Sequence, residues 1–336
     1  MIKRSRKSRQ VVVITGASAG IGRATAFEFA RQGYAVGLIA RGEKRLHSAC
    51  SAIERQGGRA LVLQADVTDP AALEQAAARA ERELGPIDVW VNSAMATVFG
   101  RFDDITPDEY RQVTETTYLG TVNGTRSALV RMRRRDSGTI IQVGSALAYR
   151  AIPLQAAYCG AKHAIRGFTD SLRSELIYEG SRIRLSMVQL GAFNTPQFEW
   201  GRNRMNYRPQ PVPPIYQPEV AAQAIAWTAR HPRREVSVGA TSVLAILGQK
   251  LAPRIMDWYM AKGAWEGQLT EQRALAGRPD NLFSAPKGDY GSHGRFDSEA
   301  RNSSIQFLLS RNRAWLGSAV TAALAAGVIR YRHHHR

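Results

Sequence analysis

The chain predicts an α/β fold: a doubly wound parallel sheet with helices on both faces, followed by a mostly helical and loop-rich C-terminal extension. Three observations carry this. Short apolar runs recur between amphipathic stretches of helical length, a glycine-rich turn directly follows the first run, and 44% of the 336 residues are hydrophobic. Strands covered on both faces read as continuous apolar runs, and parallel neighbours need crossovers long enough to hold a helix.

Residues 11–15, VVVIT, give the first strand, and 20–32 a helix stopped by Gly33. Residues 34–40 form the second strand; 43–56 form a polar helix closed by Gly57 and Gly58. Residues 60–64 are a third strand, and 70–84 a helix that opens on Pro70 and ends before Gly85. Strand four is 87–91. One long or slightly broken helical segment spans 106–135, with Pro107 near its start. Strand five is 139–143, the next helix 156–178, strand six 182–190 and a final strand 236–238. Right-handed crossovers in this order give a Rossmann-type sheet. The expected division is a basic tail, 1–8, a Rossmann-type dinucleotide-binding and catalytic domain, 9–240, and an extension, 241–336.

The formal charge is +18. Lys3, Arg4, Arg6, Lys7 and Arg9 crowd one end and Arg330, Arg332 and Arg336 the other, yet the body stays basic without them. Such a surface attracts phosphate-bearing ligands without choosing among them; no aromatic–basic motif is present, so no nucleic acid is expected. The two cysteines, Cys50 and Cys159, make neither a disulfide framework nor a metal set. They suit a reducing compartment, and no apolar leader precedes the first strand, so the expectation is a cytoplasmic protein without a metal. Residues 314–329, AWLGSAVTAALAAGVI, are uncharged but short of the roughly 18–20 apolar residues of a membrane span. They leave peripheral membrane contact open. The tract 333–335 reads as solvated histidines.

Thr15-Gly16-Ala17-Ser18-Ala19-Gly20-Ile21-Gly22 stands where a dinucleotide fold needs glycine. Gly16 permits the tight turn, Gly20 lets the backbone approach a pyrophosphate, and Gly22 lets helix pack closely on strand. A bare glycine triplet would be weak; its place between strand and helix makes it informative. Arg41 follows Gly22 by nineteen residues, at the end of strand two. An acid there would favour NAD; a cation suits a 2′-phosphate, so NADP(H) is expected over NAD(H). Asp66-Val67, after strand three, is placed to contact the adenine, with a loop cap as the competing reading.

Tyr158-Cys159-Gly160-Ala161-Lys162 sets Tyr and Lys four apart, on one helix face. A tyrosine ionises near pH ~10. Lys162 and the positive charge of an oxidised nicotinamide are expected to lower that value, so that Tyr158 exchanges a proton with a carbonyl or alcohol. Ser145, just past strand five, is placed to orient the substrate oxygen.

These residues resemble the short-chain dehydrogenase/reductase family, in its compact oxidoreductase branch. The resemblance covers roughly residues 9–197, on TGASAGIG at 15–22, LIAR at 38–41, ADV at 65–67, VGS at 143–145 and YCGAK at 158–162. It implies proton chemistry on Ser145, Tyr158 and Lys162, with Lys162 also binding the nicotinamide ribose. Cofactor contacts fall on Gly16, Ser18, Gly20, Ile21, Gly22, Arg41, Asp66, Val67, Asn92 and Thr195, and a homo-oligomer acting on a small-molecule carbonyl or alcohol is implied.

Departures from the family pattern are Met95 for a glycine in Asn92-Ser93-Ala94-Met95, Leu190 for a proline, and Thr117 in TYLG where an asparagine usually supports a proton relay. They support the rival reading of a non-catalytic NADP-binding regulator or scaffold; the intact Tyr158 and Lys162 favour the enzyme. The stretch 198–215, with Trp200, Tyr207 and PQPVPP at 209–214, lies where the family has a mobile lid and reads equally as surface loop. His293, alone in a loop of the extension, is a candidate to touch substrate, with solvation the commoner state of a lone loop histidine.

Overall fold

The computed structural model describes residues 9–275, 277–278 and 280–313; the tail 1–8, the apolar segment 314–329 and the histidines at 333–335 lie outside the described residues. Seven strands form the main sheet: β1 (Val11–Thr15), β2 (Ala35–Ala40), β3 (Arg59–Gln64), β4 (Ile87–Asn92), β5 (Thr139–Val143), β6 (Arg184–Leu190) and β7 (Glu235–Val238). Their order is β7-β6-β5-β4-β1-β2-β3, every pair parallel. The order reverses between β1 and β4, and such a reversal opens a crevice at the carboxyl ends of the strands.

The helices are α1 (Gly20–Arg31), α2 (Glu43–Arg55), α3 (Pro70–Leu84), α4 (Pro107–Thr114), α5 (Gly120–Arg133), α6 (Ala156–Tyr178), α7 (Pro218–Arg230), α8 (Ala240–Leu251), α9 (Pro253–Tyr259) and α10 (Ile305–Arg311). On one face Phe29, Leu46 and Ile225 pack over Val12, Val36 and Val188. On the other, Leu73, Met132 and Leu172 cover Val13, Trp90 and Ile140. Each fully buried large side chain contributes about 1.5–3 kcal/mol, so the all-apolar strand runs hold both layers to the sheet.

Three helix starts, those of α3, α4 and α10, are capped by side chains. Asp69 accepts the amides of Ala71 and Ala72 ahead of Pro70, and Thr106 and Glu109 cap one another reciprocally around Pro107. Helix α1 has no such cap: Ala19 offers no side-chain acceptor, and its first turn holds no acid. Its amide end faces the crevice.

Three local outcomes depart from the periodicity. The segment 106–135 is interrupted by a π-helical turn, Glu115–Leu119, before Gly120, where a Cβ would stand 2.5 Å from Cγ2 of Val67. Strand β6 starts at Arg184 rather than 182. Within 260–276 the chain passes through a π-helical turn, Met260–Ala264, into a strand, Leu269–Arg273, that pairs antiparallel with Tyr207–Pro209. That pairing ties the extension to the expected lid stretch. No helix among the described residues is long and apolar enough to cross a membrane.

Candidate active site

A cavity of about 690 Å³ opens at the carboxyl edge of β1, β4 and β5, lined by Gly16, Ser18, Gly20, Ile21, Gly22, Arg41, Asp66, Val67, Ser145, Tyr158, Lys162 and Thr195. Twelve of the thirteen expected site residues thus meet on one wall although they lie up to 179 residues apart in the chain, because β1, β2, β3, β5 and β6 all end on it.

Gly16 sits at φ +71, and a Cβ on Gly22 would lie 2.2 Å from the Gly16 carbonyl oxygen. Only glycine at both positions lets α1 start this close to β1. The Gly20 amide donates to the carbonyl of Gly291, 3.1 Å away, so the extension lies across the helix start. Arg23 pairs with Asp289, which also accepts from Ser48, and Tyr290 packs edge-on to Trp200.

At the far end of β2, Arg41 donates to the carbonyls of Asn281 and Leu282 and stands 3.8 Å from Asp66. Beside it Arg45 is 7% exposed, lines the same cavity and lies over the Trp200 ring, 5.3 Å from its centroid. Among the described residues it makes no hydrogen bond or ion pair. Burial first, and then the charge of Arg41, hold its pKa below the usual arginine value. The sequence reading missed Arg45, although its spacing from Arg41 places both at the start of one helix.

Asn92 requires a correction. Its side chain accepts from Trp90 Nε1 at 2.8 Å and donates to Thr125 and Gln142 at 3.0 and 2.9 Å. It does not line the cavity, because a buried amide in the sheet must satisfy its own donors and acceptor. Asp66 both lines the cavity and accepts the Thr68 amide at 3.0 Å, so the contact and cap readings coexist.

Tyr158 and Lys162 share one face of α6. The Lys162 ammonium is buried, donates to the Val143 carbonyl at 2.7 Å and lies 5.5 Å from the centroid of the Tyr158 ring. Ser145 holds its turn by accepting the Leu147 amide at 3.1 Å. Lys162 by itself does not bring the phenol down; the expected fall also calls on the positive charge of an oxidised nicotinamide. Burial raises the Tyr158 pKa well above its ordinary value, with Cys159 adding to the rise and a hydrogen bond with Ser145 opposing it. Burial pushes Lys162 the other way, to about 8. Desolvation penalises both charged forms, and protein groups alone leave the phenol protonated.

Thr117 is fully buried, and its hydroxyl bonds twice to the backbone of Ala96, at 3.0 Å each. That hydroxyl is spent. The stretch 198–215 does face the cavity, through Phe198, Trp200, Gln210, Pro211, Val212 and Pro213. His293 does not; it bridges Glu219 and Asp297 at 2.9 and 2.7 Å. The extension adds Leu244, Ile255, Met256, Tyr259 and Asn281 to the wall, the first three from an apolar stretch, 243–256, and the last with no sequence signal. Among the described residues no cluster of His, Cys, Asp or Glu could hold a metal ion.

Comparison with known proteins agrees with this arrangement. The family model for short chain dehydrogenases matches residues 10–205. The chain is 32% identical over 329 residues to the oxidoreductase YxnA of Bacillus subtilis, covering 97% of this chain and 91% of that one. Among solved structures, a short-chain dehydrogenase from Streptomyces avermitilis superposes with a TM-score of 0.63 at 26% identity, over 76% of this chain and 98% of its own. An alcohol dehydrogenase from Thermococcus sibiricus, complexed with 5-hydroxy-NADP, gives 0.58 at 26% identity, over 68% and 95%. With a seven-stranded sheet of this order, a glycine turn at its switch point and matches running from β1 past β6, the chain belongs to the short-chain dehydrogenase/reductase family.

Proposed function

We propose that the protein is an NADP(H)-dependent oxidoreductase acting on a CH–OH or C=O group, with Tyr158 as general acid and base. The observation that carries this is the juxtaposition of the Tyr158 phenol and the buried Lys162 ammonium on the wall that also holds the glycine turn. The nicotinamide cofactor would supply or accept the hydride.

The protein's own groups fit such a ligand. The start of α1 lacks a side-chain cap and lines the cavity through Ser18, Gly20, Ile21 and Gly22, a favourable setting for pyrophosphate once the Gly20 amide leaves the Gly291 carbonyl. Arg41 and Arg45 offer two cations at the end of β2, matching a 2′-phosphate, and the Thermococcus sibiricus neighbour carries an NADP derivative. Asp66 and Val67 would flank the adenine, and Thr195 would seat the carboxamide end.

In the reducing direction the protonated Tyr158 donates to the carbonyl oxygen that Ser145 holds. The raised phenol pKa keeps that proton available at neutral pH. Lys162 acts on the phenolate left behind, its ammonium fixed by the Val143 carbonyl. Since the Thr117 hydroxyl is already bonded to Ala96, reprotonation would not run through it. Pro211, Val212 and Pro213 add apolar groups to the cavity wall, which suits an apolar substrate and the exclusion of water.

The test is a panel of ketones and aldehydes with purified protein and NADPH. Loss of NADPH absorbance that depends on the carbonyl is the expected result. NADPH binding without turnover on any carbonyl, or on any alcohol with NADP, would favour the non-catalytic regulator instead.

A further inference from the structure

Helices α8 and α9 break the rule that a globular helix buries its apolar side. Helix α8, ATSVLAILGQKL, carries a single charged residue yet buries only Ser242, and α9 buries nothing. Leu244, Leu247, Leu251, Ile255, Trp258 and Tyr259 are all exposed, Leu251 by 83% and Trp258 by 61%. Six large apolar side chains on consecutive helices form a patch of the kind that marks an interaction surface.

Two features say what covers it. The first is charge. Lys250, Arg254 and Lys262 are exposed among these residues, while Asp257 is the only acid between 240 and 265 and is held by Arg150 at 2.7 Å. The Lys262 ammonium lies 4.5 Å from the centroid of the Trp258 ring, an aromatic and a cation side by side. A second copy of this face would set the cations of α8, α9 and Lys262 against one another, with Asp257 already held by Arg150 and the next acid, Glu266, beyond both helices. An anionic lipid surface takes both the apolar residues and the cations. The second feature is continuity. Leu244, Ile255 and Tyr259 are exposed and also line the cavity that holds Tyr158 and Lys162. The apolar patch frames the mouth of the site.

We propose that the α8–α9 face docks on an anionic lipid bilayer, with the mouth of the cavity turned toward the acyl chains. An apolar substrate dissolved in the bilayer then enters between Leu244 and Ile255 without crossing water. Entry of substrate rests on the oxidoreductase reading above; docking does not.

Docking is read by sedimentation of the full chain with large unilamellar vesicles, without turnover. Vesicles of equal parts phosphatidylglycerol and phosphatidylcholine should bind the protein. Replacing Lys250, Arg254 and Lys262 by serine should weaken that binding on the order of 100-fold, from the loss of three cations near an anionic surface. The double variant Leu251→Glu/Trp258→Glu, at positions outside the cavity wall, should lose vesicle binding by at least about tenfold. It should keep its solution turnover of a water-soluble carbonyl, which also reports that it is folded. Failure of the wild-type chain to bind these vesicles would overturn the proposal. So would undiminished binding of the double variant, which would place the contact elsewhere in the chain. A concentration-dependent doubling of mass in solution, abolished in the double variant and unaccompanied by vesicle binding, would make the face an interface between copies and overturn it equally.

Discussion

Substituting Arg45 by methionine separates a cofactor-binding arginine from a structural one. Arg45 is 7% exposed, lines the cavity and makes no ion pair among the described residues, while Arg41 beside it already donates to two backbone carbonyls and neighbours Asp66. Burial and the Arg41 charge both disfavour the Arg45 cation, so its retention costs stability. A hydrogen bond from a cation to a charged acceptor is worth about 1.5–3 kcal/mol, so losing one to a 2′-phosphate weakens NADPH binding roughly 10- to 150-fold. NADH has no such phosphate and should change by less than about threefold. The stacked contact with Trp200 is retained in part by the methionine stem, and Tm should hold or rise. Titration of both cofactors by protein fluorescence, with a thermal melt of each protein, measures all three quantities. Equal weakening of NADPH and NADH would refute the assignment, as would a fall in Tm large enough to explain the loss by unfolding.

Other perturbations test neighbouring parts of the account. Gly22→Ala places a Cβ 2.2 Å from a backbone oxygen that cannot turn aside, and should cost ~1–3 kcal/mol in thermal unfolding together with cofactor affinity. Glu109 is buried against Arg202 and Arg204, which carry the start of the lid stretch. Burial alone would raise its carboxyl, but hydrogen bonds from Arg204, Arg202 and the Thr106 amide outweigh it and hold the pKa at about 2. A depressed carboxylate stabilises fully above its unfolded value and loses that contribution as pH falls toward about 2. Glu109→Gln should therefore cost about 2 kcal/mol at pH 7, after allowing for the half-exposed Arg204, and flatten the acid limb of the stability curve measured by urea unfolding. His293 shows the opposite sign. Burial lowers its pKa, but bonds to Glu219 and Asp297 raise it overall, so its contribution is full below the ordinary histidine value and fades as pH rises through the raised one. His293→Gln should accordingly abolish a neutral-range loss of protection in the 289–297 loop, read by hydrogen exchange.

The sheet was legible because its strands are nearly uninterrupted apolar runs and the glycine turn marks where the first one ends. Parallel order and the edge on which Ser145, Tyr158 and Lys162 meet follow from that pattern and from the handedness of crossovers. What the pattern missed has physical causes. The family resemblance of Asn92-Ser93-Ala94-Met95 makes Asn92 an expected ligand contact, but an amide so deep in the sheet is claimed by Trp90, Thr125 and Gln142. The π-helical turn at 115–119 leaves hydrophobic spacing almost unchanged, so nothing in the sequence announces it. The burial that opposes the Tyr158 phenolate was not legible, since a spacing of four reveals a neighbouring ammonium but not how deeply the pair lies. Two contacts from the extension carry no sequence signature: Asn281 and Gly291 hold Arg41 and the Gly20 amide through backbone carbonyls, which any residue possesses.

The central claim is that the Tyr158 phenol delivers the proton while other groups hold the cofactor. Tyr158→Phe keeps the ring and its packing beside Lys162 and removes only the hydroxyl. Measured side by side, NADPH affinity should stay within about threefold of the parent, while turnover of a carbonyl found active with the parent should fall by roughly 10²–10⁴. Turnover that survives within tenfold in the phenylalanine variant would contradict the account.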